Sequence, residues 1–520
     1  MPLVNFCLLI YLQSPEKFKL KPMSNYSDII KIADDLSSEF NKNSSEYAII
    51  LAAGHGKRIK SHRSKMLHNI WGIPTVERVY NACVNGIKNI NTVIVVGIKA
   101  VDVMNVFGKR KYNSFAYQVE QNGTGHAVQI ALQNLKKIED GIVYVLPGDM
   151  GLINAETIVK FRTDFIESKS DMMGLTGIFE GKPEENSYGR IIRVNDVDVN
   201  GNPSGDRKDK VIQIMEYKDI LSLSDDKPYV VSYNGSKYSY SKQELIENNE
   251  FNSGVYAFKY KPLIELVNKI SSDNVQNEIY ITDLIEMFNR NGYSVSAVSP
   301  EEQHVVMGFN NKSVLKKMEA IARKEIYNKL KDVIEIDDPD DFYIHEQVVE
   351  DILEMDKQNK LLDIYVGKGV YIGKNVKLNY NLKLAKNIFV NGNVIFGENV
   401  TVAPNVHISC FANQKLKIGN NVQILWGDII KGNIEIGDNS RIESSVNMTG
   451  SDDFPLRIGK NVLIKGTSYI FGCTIEDNLF IEHSVLVKRR VKAVKNKKGE
   501  VQPVRYFLPE SEGEETITGL

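Results

Sequence analysis

The chain has 520 residues, too many for one compact core, so we expect at least two domains. With 64 Lys and Arg against 66 Asp and Glu, its net charge of -2 excludes a general binder of nucleic acid or of anionic membranes, and any cationic site must be local. The cysteines (Cys7, Cys83, Cys410 and Cys473) contain no CxxC pair, which argues against a disulfide framework or a zinc cluster and favours a cytoplasmic protein.

Residues 1–46 are interpreted as an N-terminal extension. Its apolar start, MPLVNFCLLIYLQ, has no cationic segment before it and is too short to span a bilayer, so we predict neither a signal peptide nor a membrane anchor. Met23 opens a plainer beginning, and the sequence does not decide between Met1 and Met23 as the start.

Residues 47–325 alternate short apolar strands, such as YAIILAA and IVYVLPGD, with helical stretches such as TVERVYNACVNGI. This alternation predicts an α/β Rossmann-like domain with a largely parallel sheet, in which ligands bind at the carboxyl ends of the strands. Two strand ends stand out: the basic, glycine-containing loop from Gly54 to Lys65 and the turn from Pro147 to Asp149. The loop could cradle phosphates, although a solvated basic loop explains its pattern alone equally well.

Residues 326–362 are acidic and are interpreted as a connector. The sequence pattern after them differs from that of the first domain. Between residues 363 and 492, apolar residues recur every six positions, as at Val366 and Ile372. Neither an α-helix nor a single strand repeats at six, and this period is typical of a parallel β-helix. We expect these apolar residues to form its core and to have no chemical role. Residues 493–520 form a basic, then strand-like, C-terminal tail to which we assign no function.

A series of short motifs follows one order along the first domain. They are LAAGHGKR from Leu51, SKMLH from Ser64, QVEQNGTGHA from Gln118, YGR from Tyr188, MEYKD from Met215, EFNSG from Glu250, NEIYITD from Asn277 and GFNN from Gly308. Together they resemble the motifs of the bacterial N-acetylglucosamine-1-phosphate uridylyltransferases, over roughly Tyr47 to Arg323. The resemblance implies a nucleotidyltransferase domain followed by a left-handed β-helix. It also implies a Mg²⁺-dependent reaction in which a sugar-1-phosphate oxygen attacks the α-phosphorus of UTP and pyrophosphate leaves.

The resemblance further implies roles for individual residues. Arg58 and Lys65 would be catalytic, because they would neutralise the β and γ phosphates and stabilise the departing pyrophosphate. Asp149 and Asn310 would bind Mg²⁺, which prefers oxygen ligands. The nucleotide-binding residues would be Leu51, Ala52, Ala53, Gly54, Gly56, Gln118, Gln121, Gly123 and Thr124. The sugar-phosphate-binding residues would be Gly189, Glu216, Asn252, Tyr280 and Thr282. If it is considered without the other motifs, each polar residue among them would be interpreted as a surface residue, a turn residue or a helix cap.

The sequence departs from the family pattern near the predicted nucleotide site. Lys57 stands where threonine is usual, Pro147 where tyrosine is usual, and Gly151 where proline is usual. A long polar insertion, Leu221 to Asn249, could reshape the sugar pocket. His68 and His126 fall within motifs, yet we interpret both as structural hydrogen-bonding residues.

The β-helix half departs further from the family. Bifunctional members also acetylate glucosamine-1-phosphate there with a histidine base and an NYDG loop, and neither motif is found in this sequence. We therefore expect no acetyltransferase activity and interpret His407 and His483 as structural or surface residues.

We predict a Mg²⁺-dependent uridylyltransferase that forms UDP-N-acetylglucosamine and pyrophosphate from UTP and N-acetylglucosamine-1-phosphate. Two alternatives stay open: the same chemistry on another sugar-1-phosphate or nucleotide, and a non-catalytic regulatory or scaffold subunit. We expect no binding of nucleic acid or membranes. Resemblance to hexapeptide-repeat proteins, with apolar residues such as Phe411 and Trp426 predicted on the outer faces, favours a homotrimer.

Overall fold

A computed structural model describes residues 26–506, except residues 55, 136–138, 273, 275 and 276 and the side chain of residue 57. The chain divides into two compact units, Met1–Met318 and Glu319–Leu520. Most of the predicted N-terminal extension, the choice between two start residues and the end of the predicted tail therefore lie outside the described residues.

The first unit alternates strands and helices. Its strands are β1 Glu46–Ala52, β2 Asn69–Ile70, β3 Ile73–Pro74, β4 Asn91–Val96, β5 Asn113–Tyr117, β6 Ile142–Pro147, β7 Met172–Ile178, β8 Arg190–Arg193, β9 Val211–Met215, β10 Tyr229–Tyr233, β11 Ser236–Tyr240, β12 Glu250–Lys259 and β13 Val295–Val298. The helices that begin in it are α1 Tyr26–Leu36, α2 Thr75–Gly86, α3 Ala100–Phe107, α4 Thr124–Leu132, α5 Ala155–Ser168, α6 Tyr217–Ser222, α7 Lys242–Glu247, α8 Tyr260–Leu266, α9 Asp283–Arg290 and α10 Lys312–Leu330.

One mixed sheet forms the centre of this unit, in the strand order β13-β7-β12-β6-β1-β4-β5, with β8 and β9 beside β12. The block β6-β1-β4-β5 is parallel, as the sequence predicts. Strand β12 instead runs antiparallel to both of its neighbours, β6 and β7. The α/β fold is thus confirmed, and the difference is an antiparallel part of the sheet formed by β12 and the adjoining strands β8 and β9.

Helices cover both faces of the sheet, and each face has its own hydrophobic core. All six residues of β4 are buried, which is typical of a parallel strand between two layers. Successive side chains of a strand point to opposite faces. Accordingly, Ile50 and Ile94 belong to one core cluster, and Ile49 and Val93 belong to the other. The sheet is therefore held rigidly, and its carboxyl edge is a firm base for loops.

The second unit consists of many short strands and one further helix, α11 Glu346–Asp356. The strands are β14 Glu335–Ile336, β15 Phe342–Ile344, β16 Tyr365–Val366, β17 Val370–Ile372, β18 Leu382–Leu384, β19 Phe389–Asn391, β20 Val394–Phe396, β21 Val400–Val402, β22 His407–Ser409, β23 Leu416–Ile418, β24 Gln423–Ile424, β25 Ile429–Gly432, β26 Ile434–Ile436, β27 Arg441–Ile442, β28 Asn447–Gly450, β29 Leu456–Ile458, β30 Leu463–Ile464, β31 Tyr469–Phe471, β32 Thr474–Ile475, β33 Phe480–Ile481, β34 Val485–Val487 and β35 Arg490–Val491. Among the helices of the described residues, none is both long and apolar enough to cross a lipid bilayer.

These strands form three parallel sheets. The first sheet is β14-β16-β18-β21-β24-β27-β30-β33, the second is β15-β17-β19-β22-β25-β28-β31-β34, and the third is β20-β23-β26-β29-β32-β35. From β18 onward each coil of the chain adds one strand to each sheet, which is consistent with the predicted left-handed β-helix. The residues of the six-residue period, such as Val366 and Ile372, are fully buried as predicted.

Asparagine occupies many corners between the sheets. Asn399 and Asn421 have φ values of 58° and 57°, a left-handed conformation that asparagine tolerates better than most residues. Nδ2 of Asn399 donates to Oδ1 of Asn421 at 2.7 Å, one step of a ladder that runs from coil to coil. The corners therefore add polar contacts between coils to the apolar core.

The coils extend beyond the six-residue period at both ends. Strands β14 and β15 lie within residues 326–362, which the sequence suggests to be a connector, and pair in register with β16 and β17. An acidic turn and α11 interrupt the period there and hide it from sequence analysis. At the other end, Val504 of the predicted tail pairs with Ile481, so the described part of the tail continues the first sheet.

Candidate active site

The predicted nucleotide and metal residues lie at one edge of the central sheet. Strands β6, β1, β4 and β5 are parallel neighbours, so their carboxyl ends meet at that edge. The turn with Asp149 follows β6, the glycine loop follows β1 and Gln118 follows β5. Three strand spacings separate β6 from β5, which places the outer two of these segments about 14 Å apart. A ligand that reaches both must lie across the carboxyl ends of the strands.

Both predicted metal ligands and the predicted catalytic lysine form one contact group. Nζ of Lys65 donates hydrogen bonds to a carboxylate oxygen of Asp149 and, at 2.9 Å, to Oδ1 of Asn310. The lysine is only 9% exposed, and its ammonium lies 5.3 Å from the centre of the Phe309 ring. We call Lys65, Asp149, Phe309 and Asn310 the Lys65 cluster. Its two oxygens converge on one cationic atom.

The chemistry of this cluster fits a divalent cation of the Mg²⁺ type. A carboxylate and an amide oxygen are hard ligands, and Mg²⁺ takes much of its coordination shell from substrate phosphates and water. Within residues 26–506, where described, no group of three or more His, Cys, Asp or Glu side chains could hold a metal ion.

The glycine loop packs directly against Lys65. Gly56 has a φ of 61°, and a Cβ atom there would lie 2.8 Å from Cβ of Lys65, so only glycine fits both the conformation and the space. Gly54 has no comparable constraint, since the nearest atom to a Cβ there would be 3.6 Å away. The backbone N–H of Gly148 donates to the carbonyl of Leu51 at 2.9 Å, which ties the Asp149 turn to β1.

The other residues of this segment divide between packing and exposure. Ala52 and Ala53 are buried, so their side chains pack within the layers and only their backbone could contact a nucleotide. Arg58 is exposed at the same edge. Burial and the nearby Asp149 raise the pKa of Tyr188, and the charge of Arg58 lowers it, so both charges act on one hydroxyl.

The predicted base-reading residues form one closed loop. Nε2 of Gln118 donates to the carbonyl of Gly123 at 3.2 Å and lies 3.2 Å from Nδ1 of His126. Nε2 of Gln121 donates to the carbonyl of Gln118 at 3.3 Å. Gln118 is 2% exposed, so it also shapes the loop, a role that the sequence does not indicate.

This loop is joined to the segment that carries the predicted sugar residues. Gly123 has a φ of 105°, and a Cβ there would lie 2.5 Å from the carbonyl oxygen of Ile279. The backbone N–H of Ile281 donates to Oγ1 of Thr124 at 3.2 Å. Tyr280 lies between these two contact points. The base-reading and sugar-binding residues are thus neighbours in space although they are far apart in the chain.

All of the predicted sugar-phosphate residues lie in or beside one cavity. The cavity has a volume of about 660 Å³ and is lined by Glu216, Tyr280 and Thr282, among others. The backbone N–H of Asn252 donates to the carbonyl of Gly189 at 2.8 Å. A Cβ at Gly189 would lie 3.3 Å from Oε1 of Glu216, so glycine keeps the wall thin at this point.

Carboxylates concentrate on this cavity. Burial, followed by the charges of Asp219, Asp283 and Glu278, raises the pKa of Glu216 to about 7. Burial, Glu286 and Asp219 raise the pKa of Asp283 to about 6. Asp219 and Asp283 belong to the motifs MEYKD and NEIYITD, so their motif positions were the signal by which the sequence could have identified them.

Two further buried side chains hold segments next to the predicted sugar residues. The hydroxyl of Tyr256 donates to Oδ1 of Asn252 at 2.7 Å. Arg190 is fully buried, and its guanidinium donates to the carbonyl of Asn186 at 2.8 Å. Arg190 belongs to the YGR motif, where a buried charge could have been suspected. Tyr256 has no comparable signal in the sequence.

The polar insertion also reaches the cavity. It folds as the hairpin β10–β11 and helix α7, and its Tyr238 and Leu245 belong to a small core that also includes Ile192 of β8 and Ile212 of β9. The hydroxyl of Tyr229 donates to Oε1 of Gln213 at 2.8 Å, and Gln213 lines the cavity. The insertion therefore supports one wall of the pocket that holds the predicted sugar residues.

Known proteins resemble this chain over part of its length. Residues 48–180, from β1 to the end of β7, match the family described as MobA-like NTP transferase domain. The chain is 34% identical over 305 residues to the bifunctional protein GlmU of Acetivibrio thermocellus, which covers 58% of this chain and 57% of that protein. It is 34% identical over 264 residues to the bifunctional protein GlmU of Caldicellulosiruptor saccharolyticus, covering 51% and 49%. These matches confirm the resemblance that the motifs indicate.

The chain spans about half the length of the curated relatives that it matches. Among solved structures, the crystal structure of UDP-glucose pyrophosphorylase complexed with UDP-glucose aligns with a TM-score of 0.36 and 13% identity, over 54% of this chain and 99% of that one.

Proposed function

We propose that this chain transfers the uridylyl group of UTP to a sugar-1-phosphate, with N-acetylglucosamine-1-phosphate as the preferred acceptor. The observation that supports this most strongly is the Lys65 cluster at the carboxyl edge of the parallel strands, the same edge to which the base-reading loop belongs. A buried lysine, a carboxylate and an amide oxygen at such an edge suit the handling of a polyphosphate.

Catalysis in this proposal is mainly alignment and charge neutralisation. Arg58 and Lys65 neutralise the β and γ phosphates and stabilise the charge that develops on pyrophosphate. Asp149 and Asn310 would hold Mg²⁺, which would polarise the phosphate oxygens. Gln118, Gln121, Gly123 and Thr124 present the base-reading loop. No side chain acts as a nucleophile.

The acceptor lies in the 660 Å³ cavity. Glu216, Asn252, Tyr280 and Thr282 supply polar atoms for the sugar, and Gly189 allows it to approach the backbone. The match to the family motifs supports the acetamido sugar as the acceptor. The chief alternative is the same chemistry with a different sugar-1-phosphate or nucleotide, because the inserted hairpin supports the cavity wall.

Pyrophosphate release across a panel of substrates tests this proposal. Each of UTP, CTP, ATP, GTP and dTTP is paired with the 1-phosphates of N-acetylglucosamine, glucosamine, glucose and galactose, with Mg²⁺ or with EDTA. We expect the highest kcat/KM for UTP with N-acetylglucosamine-1-phosphate, and none with EDTA. Pyrophosphate release with none of the pairs would favour the regulatory or scaffold alternative.

We also propose that the chain does not transfer acetyl groups. The relatives are named bifunctional, but this sequence has neither of the family's acetyl-transfer motifs. In the second unit, His407 stacks on Phe389 with ring centres 4.8 Å apart, and burial lowers its pKa. Nδ1 of His483 lies 2.8 Å from the carbonyl oxygen of Gly466. Protein-dependent release of CoA from acetyl-CoA with glucosamine-1-phosphate would contradict this.

Self-association and location complete the proposal. We propose a homotrimer assembled through the β-helix, without nucleic acid or membrane partners. Cys83, Cys410 and Cys473 are free thiols, which supports a cytoplasmic location.

A further inference from the structure

One ammonium group has two roles at the Lys65 cluster. Lys65 is the cation proposed to meet the triphosphate, yet its Nζ donates to the same two oxygens, of Asp149 and Asn310, that are proposed to hold the metal. Two cations on these oxygens repel each other at such short range. The ammonium and a divalent cation would therefore compete for this position.

Two aromatic rings support the lysine in this position. Phe309 is fully buried and lies in the chain beside Asn310. The Lys65 ammonium lies 5.3 Å from the centre of the Phe309 ring. The ring of His68 packs edge-on against Phe309, with ring centres 6.2 Å apart. The backbone N–H of His68 donates to the carbonyl of Lys65 at 3.3 Å. The backbone and the side chain of Lys65 are thus both fixed toward Asp149.

We propose that Lys65 is an internal counter-ion of Asp149 that a divalent cation displaces, and that Phe309 is a positioning residue that holds the lysine there. The inference rests on the metal site of the proposed function. Metal binding then frees the ammonium of Lys65 for the triphosphate. Conversely, a triphosphate that attracts Lys65 exposes the metal ligands. Nucleotide and metal therefore strengthen each other's binding, as reciprocal linkage requires.

The burial of the pair makes this competition measurable. Side chains of Lys65 and Asp149 are 10% and 15% exposed, so solvent screens their attraction less than that of a surface pair. Removing the lysine leaves a buried carboxylate without its counter-ion, and such a charge strongly favours a new cation. The free enzyme should therefore bind divalent cations more weakly than a variant without the lysine.

The test is Mn²⁺ binding to the full chain without nucleotide, followed by the electron paramagnetic resonance signal of the free ion. We expect Lys65→Met to tighten Mn²⁺ binding by about tenfold, because the variant leaves the buried carboxylate of Asp149 without its counter-ion and available to the metal. Phe309→Leu should tighten it by about threefold, because a cation–π contact of this kind is worth about 0.5–1 kcal/mol. Lys60→Met removes an equal charge from an exposed position of the same loop and should leave Mn²⁺ binding close to wild type.

A second measurement uses the unaltered chain and does not depend on the folding of a variant. The rate of Lys65 acetylation by an N-hydroxysuccinimide ester is followed by mass spectrometry with and without Mg²⁺, with Lys60 as the internal reference. We expect Mg²⁺ to raise the Lys65 rate severalfold relative to that of Lys60, because the displaced ammonium becomes accessible.

Asp149→Asn distinguishes a failure of the proposed metal site from a failure of the proposed exchange. If this variant binds Mn²⁺ as tightly as wild type, the proposed metal site is wrong. If it loses binding while Lys65→Met equals wild type, only the exchange is wrong. Failure of both wild type and Lys65→Met to bind Mn²⁺, or a Lys65 acetylation rate that Mg²⁺ does not change, also overturns the exchange. Unchanged binding in Phe309→Leu removes the positioning role of Phe309.

Discussion

At the scale of single residues, charge decides the role of each member of the candidate site. Lys65 and Asp149 are paired and mostly buried, Arg58 is exposed, and Glu216 lies among other carboxylates. The same residue types at the surface would contribute little, because water screens their interactions. Three predictions concern these residues.

Asp149→Asn should lower kcat by about a hundredfold or more, because it removes the charge that would hold the metal at the phosphates. The measurement is pyrophosphate release at saturating substrates in Mg²⁺, with thermal unfolding to verify the fold. Asp140→Asn, an exposed carboxylate near the start of β6, is the matched control. Near wild-type turnover of Asp149→Asn would exclude this carboxylate from the reaction.

Arg58→Ala should lower kcat/KM for UTP and weaken inhibition by pyrophosphate, because the exposed guanidinium can reach the β and γ phosphates. The KM for the sugar phosphate should change less. Arg63→Ala, in the same loop, is the control for a general loss of positive charge. An unchanged response to UTP would return Arg58 to the interpretation of a solvated basic residue.

Glu216 should make acceptor use depend on pH near neutrality. Burial and neighbouring carboxylates raise its pKa to about 7, so the group loses its proton as the pH rises through 7. A carboxylate accepts hydrogen bonds from sugar hydroxyls, so kcat/KM for the sugar phosphate should rise between pH 6 and 8. Glu216→Gln should lower this parameter and remove the step at pH 7. A step that persists in Glu216→Gln would belong to another group.

At the scale of elements, loops and corners carry the chemistry and the strands hold them. The base-reading loop is locked because Gly123 approaches the backbone of Ile279, and the Asp149 turn is tied to β1 through Leu51. The β-helix corners are held in a similar way, because polar side chains such as Asn399 form hydrogen bonds with the next coil. Asp428, in the corner before β25, is an exception.

Asp428 should make the second unit less stable as the pH rises. It is fully buried; one carboxylate oxygen accepts from the N–H of Val446 at 2.8 Å, and the other has no partner among the described residues. Burial raises its pKa from 3.8 to about 8. Between these values the folded state retains a proton that the unfolded state releases, so the free energy of unfolding falls with rising pH. At pH 8.5, Asp428→Asn should therefore be more stable than wild type, by about 1–3 kcal/mol.

Trp426 reports this unfolding, since it lies in the same corner and Trp71 is the only other tryptophan. Denaturant unfolding is followed by fluorescence in a Trp71→Phe background at pH 5 and pH 8.5. Asp438→Asn is the control of opposite sign, because a backbone hydrogen bond from Asn420 lowers the pKa of Asp438. Equal pH dependence in wild type and Asp428→Asn would show that Asp428 is not the group responsible.

At the scale of the whole molecule, the three outer faces of the β-helix differ in chemistry. The outward residues of the first sheet include Lys383, Gln423 and Arg441, and those of the third sheet include the ion pair of Lys417 and Glu435, 3.4 Å apart. The second sheet instead carries a stack of rings with centres 4.5 to 4.9 Å apart. The stacked residues are Tyr343, Tyr371, Phe389 and His407. This apolar face is the surface that self-association would cover.

Light scattering should therefore give about three times the chain mass of 58.7 kDa. Ile429 and Tyr469 continue the apolar face and are 37% and 42% exposed. Replacing both by lysine should give a monomer, because unpaired charges would have to be buried between copies. Gln423→Lys, on the first sheet, should leave the assembly intact. A monomeric wild-type chain would contradict the trimer.

The sequence alone determined what depends on local pattern. The alternation of strands and helices predicted the α/β unit, and the six-residue period predicted the β-helix and its core, because both follow from which side chains must be buried together. Because the carboxyl ends of parallel strands meet at one edge of a sheet, the sequence also predicted that the loops of Gly54 and Asp149 lie at the same edge. The insertion and the ends of the β-helix lacked such a period, so their folds could not be predicted.

Tertiary structure decided what depends on contacts between distant residues. Lys65 is 84 positions from Asp149 and 245 from Asn310, so no local pattern could show that it neutralises the predicted metal ligands. The pKa of Glu216 likewise depends on burial and on charges brought from another segment. Sequence specifies which group a residue carries, whereas its solvation and its partners arise only when the chain folds, and these set whether that group is a free cation, a counter-ion or a neutral acid.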